Sequence, residues 1–501
     1  MSLSYLKSGT DIRGTALGDN CDLNDAVVKQ IAVGFLSVIA EKTNTKPADM
    51  RIFIGRDSRL SGERIFNALC EVFTSYGVSV TDCGLCSTPA MFMTTVTEGC
   101  TAAVQITASH HPSDKNGLKF FTREGGFEGS DISAVLVAAE QDCPFEKTAG
   151  RVGKCDYITK YAADLCDKIR QGVNAENYQK PLEGFHIVVD AGNGVGGFYA
   201  EKVLAALGAD VSGSEFLDPD GSFPNHIPNP ENADAMGFIC RSVLRNKADF
   251  GVIFDTDVDR AACVDSDGKE INRNRLVALA SAIALENETG GTIVTDSVTS
   301  DGLAVFINEH LGGVHHRFRR GYKNVINEAV RLNAEGINCP LAIETSGHAA
   351  LRENYFLDDG AYLITKIIIL LAKLRKEGKS LSSVIASLAE AEEEKELRFK
   401  ILHSDFRPVG EKVIADLETW ASSLPFATPA NDNREGFRVS FDKDHGDGWL
   451  LLRLSVHDPI LPLNIESNTP GGCKQIAQLL YDFLKQYNDI DIGPLKDYIN
   501  Y

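Results

Sequence analysis

Three carboxylates at alternate positions, Asp255, Asp257 and Asp259, are followed at once by Arg260 and preceded by the apolar run Phe250 to Phe254. If the strand continued, the i, i+2, i+4 spacing would put all three on one face. If the chain turned into a loop, they could wrap an ion. In either geometry the anions repel one another unless a cation joins them, and hard oxygen donors suit Mg²⁺ or Ca²⁺. An EF-hand is excluded, because the loop glycine and the glutamate at its twelfth position are missing. A solvated acidic turn is the bland alternative, and the position directly after a buried strand weighs against it.

Thr107-Ala108-Ser109-His110-His111-Pro112 is a second candidate, with Lys119 ten residues beyond Ser109. A serine after a strand, with two histidines and a lysine close by, suggests an activated hydroxyl; a polar turn that satisfies its own backbone is the competing reading. The Gly-x-Ser-x-Gly elbow of α/β hydrolases is absent. Gly192-Asn193-Gly194-Val195-Gly196-Gly197 fits GxGxxG between a strand and a helix, and Glu215 lies about twenty residues on, as a dinucleotide site would have it. Such glycine-rich turns are common, so this supplies only an alternative function, a nicotinamide-dependent oxidoreductase. Arg453, Ser455 and His457, near the end of a strand that starts at Trp449, could hold a phosphate. Ser467 to Gly472 reads as a helix entry, with Asn468 or Thr469 as the cap of the last helix.

The elements that must position these residues repeat along the chain. Three β-rich runs, Arg51 to Asp57, His186 to Gly192 and Thr292 to Ser297, each end in a polar or glycine-rich loop and lead into a helix such as Gly197 to Leu207. Roughly fifty to sixty-five residues after each comes a second strand: Ala102 to Ile106, Phe250 to Phe254 and Leu341 to Ile343. The spacing predicts three tandem, related α/β domains (mixed sheets with flanking helices) over 1–155, 156–265 and 266–390, with function collected in loops at strand ends around a central cleft. The acidic run Glu390 to Glu396 is expected to be a linker or a helix surface. Beyond it, antiparallel strands Phe437 to Phe441 and Trp449 to Leu454, and a helix Gly472 to Tyr487, predict a smaller α+β domain over 391–501.

Composition narrows the partners. The chain has 501 residues, 43% of them hydrophobic and 24% charged, as in globular proteins of several domains. A net charge of −20 argues against nucleic acid and anionic membranes, so a phosphate site has to be built from local cations and backbone N–H groups. The longest greasy stretch, Ile364 to Leu374, carries Lys366 and Lys373 and reads as a buried helix rather than a membrane span. No apolar leader precedes Lys7 to Arg13, which predicts a cytoplasmic location. The twelve cysteines are expected to be reduced core thiols; the Cys83–Cys86 pair lacks a second pair for zinc. On oligomeric state the sequence is silent.

Taken in order, these motifs resemble the α-D-phosphohexomutase superfamily, in its phosphomannomutase/phosphoglucomutase branch. Ser8-Gly9-Thr10-Asp11-Ile12-Arg13-Gly14 is similar to that family's opening motif, Thr107 to Pro112 to its phosphoserine loop and Asp255 to Arg260 to its metal loop. Glu344-Thr345-Ser346-Gly347-His348 is similar to its sugar-recognition loop and Arg453 to Pro459 to its phosphate-binding loop; Asn229 to Asn232 and Arg320-Gly321-Tyr322 also fit. The resemblance implies four domains around a cleft, closed by the last. It implies exchange of phosphate between the 1- and 6-positions of a mannose or glucose phosphate through a hexose 1,6-bisphosphate. Ser109 would carry the phosphoryl group and, with Asp255, Asp257 and Asp259, ligate Mg²⁺. Arg13, His110, Lys119 and Arg260 would surround that group, with Lys119 as general base. Glu344, Ser346, His348, Arg319 and Tyr322 would bind the sugar phosphate, and Arg453, Ser455 and His457 its non-reacting phosphate. Thr256 replaces a usual glycine, and Ser455-Val456-His457 stands where Ser-Asn-Thr is usual. The second departure leaves a non-catalytic sugar-phosphate-binding relative as a further alternative.

Overall fold

Ala102–Ile106 is buried at every position, as a strand covered on both faces must be, and it runs through the middle of a mixed sheet. The computed structural model describes residues 2–142, 144–455 and 458–500. They gather into two units, Met1–Ile283 with Ser346–Val384, and Ala284–Thr345 with Ile385–Tyr501.

In the first unit that sheet runs Lys7–Ser8, Asp11–Thr15, Lys115–Thr122, Ala102–Ile106, Arg51–Arg56, Ser79–Leu85, Arg151–Lys154. Arg51–Arg56 is parallel to both its neighbours, whereas Lys115–Thr122 runs antiparallel to Ala102–Ile106 and to Asp11–Thr15. Helices Asp25–Thr43, Gly62–Ser75 and Gly129–Ala138 contribute to its core, where Phe35 stacks on Phe120 at 4.6 Å. A second sheet orders Glu270–Ile271, Ala261–Asp265, Phe250–Phe254 and Ile187–Asp190. Phe250–Phe254 is parallel to Ile187–Asp190 but antiparallel to Ala261–Asp265, with Phe254 paired to Ala261. The three aspartates are therefore the tip of a hairpin whose ends are pinned by the ladder. Helix Gly360–Lys376, largely buried, spans the predicted greasy stretch.

The same sheet holds an ion pair that gives a pH-dependent prediction. His226 Nε2 lies 3.0 Å from both Asp190 carboxylate oxygens, and its ring packs against Phe216 and Phe238. Burial alone would lower the His226 pKa, but the bond and charge of Asp190 outweigh it and the pKa rises. A raised folded pKa stabilises fully below the ordinary histidine value of about 6.5 and fades as pH climbs through the folded value. His226→Asn is expected to cost about 3 kcal/mol near pH 6 and clearly less near pH 9. Urea unfolding at the two pH values checks this; an equal cost at both would contradict it.

In the second unit Thr292–Thr295 is flanked by the parallel strands Val314–Arg317 and Leu341–Ile343. A six-stranded antiparallel sheet follows, in the order Ala427–Pro429, Phe437–Phe441, Gly448–Leu452, Ile460–Ser467, Glu393–Ile401, Ile490–Asp491. Helices Phe406–Ser422, Gly472–Leu484 and Gly493–Asn500 complete its core. Three tandem α/β domains and a C-terminal α+β domain are thus the architecture.

Several local expectations change. The acidic run leads into strand Glu393–Ile401 instead of a linker, with exposed and covered positions alternating. Helix Gly472–Leu484 is not the last, and neither Asn468 nor Thr469 caps it. Its N-cap is Gly471 at φ 80, and Glu393 accepts from the amides of Gly471 at 2.7 Å and Cys473 at 3.2 Å. In place of a regular helix over 197–207, a π-helical turn Tyr199–Leu204 runs into a tighter turn Ala205–Leu207. The strand expected from Trp449 ends at Leu452.

Candidate active site

Ser109 lies just past the end of Ala102–Ile106 with φ 51, left-handed backbone that costs a non-glycine residue roughly 1–2 kcal/mol. Its amide donates to Thr107 Oγ1 at 2.8 Å, and its Oγ donates to Asp255 Oδ2 at 3.0 Å. The buried Ser109 hydroxyl also accepts from Arg260 Nη2 at 3.2 Å and lies 3.3 Å from His110 Nδ1. The hydroxyl and the aspartate triplet, far apart in sequence, are one cluster.

The triplet is buried throughout, and one oxygen from each aspartate lies within 4.8 Å of the others. Val258, between the last two, also has positive φ, 66, unusual for a β-branched residue and held by the pinned hairpin. Arg260 Nε and Nη2 donate to Asp255 Oδ2 at 3.1 and 3.0 Å, and Nη1 donates to Asn229 at 3.1 Å. Lys119, on the strand beside Ala102–Ile106, pairs with Asp259 and, at 3.2 Å, with Asp257. Thr88, in the first turn of helix Thr88–Thr97, donates its hydroxyl to Asp257 Oδ2 at 2.5 Å and its amide to the Asp257 carbonyl at 2.8 Å. That helix end favours an anion. Asp257 Oδ1 and Asp259 Oδ1 are buried with no hydrogen-bond donor among the described residues. Buried carboxylate oxygens without donors are costly, and a hard divalent cation would satisfy both; the residues fit Mg²⁺.

The electrostatics follow from burial. Burial raises Asp255 well above the usual carboxylate range, with Asp259 and Asp257 adding to the rise against Arg260. Burial would raise Asp259 too, but Lys119, His348 and Arg260 overcome it and hold it low. Burial, then Arg260, His111 and Arg13, push His110 down to about 2, so it is neutral at pH 7 and its Nδ1 accepts from Arg260 Nη2 at 2.7 Å. Burial also opposes charge on His348, yet Asp358, whose Oδ2 is 2.6 Å from Nδ1, and Asp259 lift it to about 9. Arg13 is bonded to buried Asp11 at 2.8 Å. Ser346, also of this unit, is buried.

Glu344, Arg319, Tyr322, Arg453 and Ser455 belong to the second unit. Glu344 accepts from the amide of Gly321 at 2.6 Å, at the start of helix Tyr322–Ala334. Arg319 donates to the carbonyl of Arg434 at 3.0 Å. Its neighbour Arg320, quoted above but given no role, pairs with Asp296 at 3.8 Å, and its amide donates to Glu435 at 3.0 Å. Arg453 Nε is buried without a hydrogen-bond partner among the described residues. Burial pulls the Arg453 pKa down; Glu435, Glu396 and Asp296 act against the fall and Arg320 adds to it. Val456 and His457 lie outside the described residues.

The glycine-rich turn is filled by the chain itself. A Cβ at Gly194 would meet the Thr256 backbone at 2.6 Å, and one at Gly197 the Leu217 carbonyl at 2.2 Å. These glycines let the turn pack against the metal loop, Val195 N donating to Thr256 O at 2.9 Å, and a pyrophosphate finds no room against them. Glu215 pairs with Arg245 at 2.7 Å. Sequence reading missed Arg59 and Thr88 and gave no role to Asp57 and Thr107, which it quoted only as parts of longer runs; all four are bonded to Ser109, its loop or the triplet, and the polar Arg56-Asp57-Ser58-Arg59 at a strand end was the available signal.

Comparison with known proteins agrees with this geometry. The models for phosphoglucomutase/phosphomannomutase alpha/beta/alpha domains I, II and III match residues 6–140, 163–268 and 272–391. A phosphoglucomutase of Neisseria meningitidis is 30% identical over 468 residues, 93% of this chain and 94% of that one. A phosphomannomutase/phosphoglucomutase of Pseudomonas putida is 27% identical, with 86% of each chain covered. The crystal structure of a phosphoglucomutase/phosphomannomutase family protein from Burkholderia thailandensis superposes with a TM-score of 0.79 at 26% identity, covering 97% of this chain and 98% of that one. Shared family models, near-complete alignment and a common fold lead to one conclusion: the chain belongs to the phosphoglucomutase/phosphomannomutase family of the α-D-phosphohexomutase superfamily and is a phosphohexomutase.

Proposed function

We propose that the protein moves phosphate between the 1- and 6-positions of mannose or glucose phosphates through phosphorylated Ser109 and a hexose 1,6-bisphosphate. The observation that carries this is the 3.0 Å bond from Ser109 Oγ to Asp255 inside a buried triplet in which Asp257 Oδ1 and Asp259 Oδ1 have no hydrogen-bond donor among the described residues. Charge arithmetic supports it. The three aspartates face Lys119 and Arg260, a formal balance of −1. A phosphate on Ser109 adds about −1.5 to −2 at neutral pH, more than two cations offset in a buried site. Asp255, Asp257, Asp259 and the Ser109 phosphate would hold Mg²⁺, which when bound withdraws charge from the phosphoryl group.

The chain's own residues do the rest. Arg260 orients Asp255 and reaches the Ser109 oxygen, where it stabilises charge that builds up during transfer. His110, neutral, positions the group without adding charge. Lys119, held as an ammonium by Asp257 and Asp259, gives a proton to the departing Ser109 oxygen and recovers one from the sugar hydroxyl, and Arg13 completes the cationic lining. Glu344, Ser346, His348, Arg319 and Tyr322 recognise the sugar phosphate, and Arg453 with Ser455 the phosphate that does not react. Keeping water out favours return of the phosphoryl group to sugar over hydrolysis.

A coupled assay of mannose 1-phosphate against glucose 1-phosphate, with Mg²⁺ and a trace of the bisphosphate, is the test. Conversion of either to its 6-phosphate is expected; saturable binding of both with no turnover would leave a sugar-phosphate-binding relative instead. For Arg453→Lys, loss of the forked donor set is expected to lower kcat/KM about ten- to hundredfold. Unchanged kcat/KM in that assay would take Arg453 out of phosphate recognition.

A further inference from the structure

The Arg59 guanidinium has five N–H donors, and all five are used, four of them on the loop that carries Ser109. Nη2 donates to the carbonyls of Ser109 at 2.5 Å and His111 at 2.6 Å, and Nη1 to those of Pro112 at 2.6 Å and Lys115 at 2.8 Å. Nε donates to Asp57 Oδ2 at 3.2 Å. The same carboxylate oxygen accepts from Thr107 Oγ1 at 2.7 Å, and that hydroxyl accepts the Ser109 amide at 2.8 Å. The amide and the carbonyl of Ser109 are therefore both tied to one buried Arg59–Asp57 pair.

The clamp is sealed from above. Arg59 stacks at 5.2 Å on Phe223, and a Cβ at Gly221 would meet the Arg59 backbone at 2.6 Å. Both side chains of the pair are completely buried. Such a pair is costly unless every donor and acceptor is satisfied, and this one is spent on a strained loop rather than on the core. Left-handed φ at Ser109 turns its Oγ onto Asp255, and without external ties the loop would relax to cheaper backbone.

We propose that Arg59, acting with Asp57 and Thr107, is a positioning residue that holds Ser109 in its left-handed conformation and so sets the alignment of its oxygen for phosphoryl transfer. The proposal rests on the functional reading above for its kinetic part only. Lysine at 59 keeps the charge but cannot reach four carbonyls with three donors. In Arg59→Lys, checked for folding by circular dichroism, single-turnover transfer from glucose 1,6-bisphosphate to the protein is expected to slow about 10²-fold. The KM for glucose 1-phosphate should stay within about threefold. Amide exchange over residues 107–116 should rise about tenfold while the rest of the first sheet stays protected. A folded variant that is less stable yet transfers phosphate and exchanges as the wild type does would overturn the proposal. Should Arg59→Lys not fold, Thr107→Val and Thr107→Ser decide. The valine removes both hydroxyl bonds and should reproduce the slow transfer and fast exchange, and the serine should restore them; equal behaviour of the two overturns the clamp. If the wild type takes up no phosphate at all, the functional reading fails, and the exchange measurements still judge the clamp.

Discussion

Ser109→Ala is expected to leave a folded chain whose mutase turnover is lower by about 10⁴-fold or more, the loss seen when a covalent nucleophile is removed. The substitution deletes only the Oγ that reaches Asp255 and receives Arg260. The amide bond to Thr107 and the carbonyl bond to Arg59 are untouched, so the loop keeps its ties and its left-handed backbone. The melting temperature should therefore change little, and intact mass should show that the heavier, singly phosphorylated fraction of the wild type is gone. Activity above a tenth of wild type would mean that phosphate passes between sugars without this hydroxyl.

Asp257→Asn is the second large effect. Asp257 Oδ2 is fixed by Thr88 and Lys119, so Oδ1, buried without a donor among the described residues, is the oxygen left for an ion. An amide in its place offers a weaker, neutral ligand or turns an N–H toward the site. A kcat/KM lower by about 10³-fold is expected from weakened charge withdrawal at the phosphoryl group. A second readout is independent of catalysis. A ligand that binds only the folded state at a hundred times its Kd stabilises by about 2.7 kcal/mol. Mg²⁺ should raise the unfolding midpoint of the wild type and have little effect on the variant. Equal Mg²⁺ stabilisation of both proteins would move the ion to other ligands.

How far the sequence revealed this arrangement depends on how local each signal is. The aspartate triplet was legible because its spacing and the apolar strand before it lie within ten residues, and the ladder from Phe254 to Ala261 makes that stretch a hairpin tip. The place of Ser109 just after a strand was legible for the same reason, whereas spacing alone left a polar turn open and its role came from the resemblance of Thr107 to Pro112 to a phosphoserine loop. Arg59 was not: four of its five donors go to backbone carbonyls about fifty residues on, and carbonyls carry no side-chain signature. The helix at Gly472 was given a local cap because Asn468 and Thr469 are good caps. The cap comes instead from Glu393, near eighty residues earlier. The strand Glu393–Ile401 was hidden because charged residues occupy both of its faces at the start, which masks the period of two until Leu397, Phe399 and Ile401. Arg320 and Glu435 meet across more than a hundred residues, and only the fold brings them together.

The central claim is that one divalent ion is shared by an anion on Ser109 and the acids of the 255–259 hairpin. Phosphorus NMR of the phosphorylated protein with Mn²⁺ in place of Mg²⁺ tests it most directly, because a paramagnetic ion bound to the phosphoryl oxygen relaxes that phosphorus. Severe broadening of the phosphoserine line in the wild type, largely relieved in Asp257→Asn, is the predicted result. A sharp line at saturating Mn²⁺ would contradict the account.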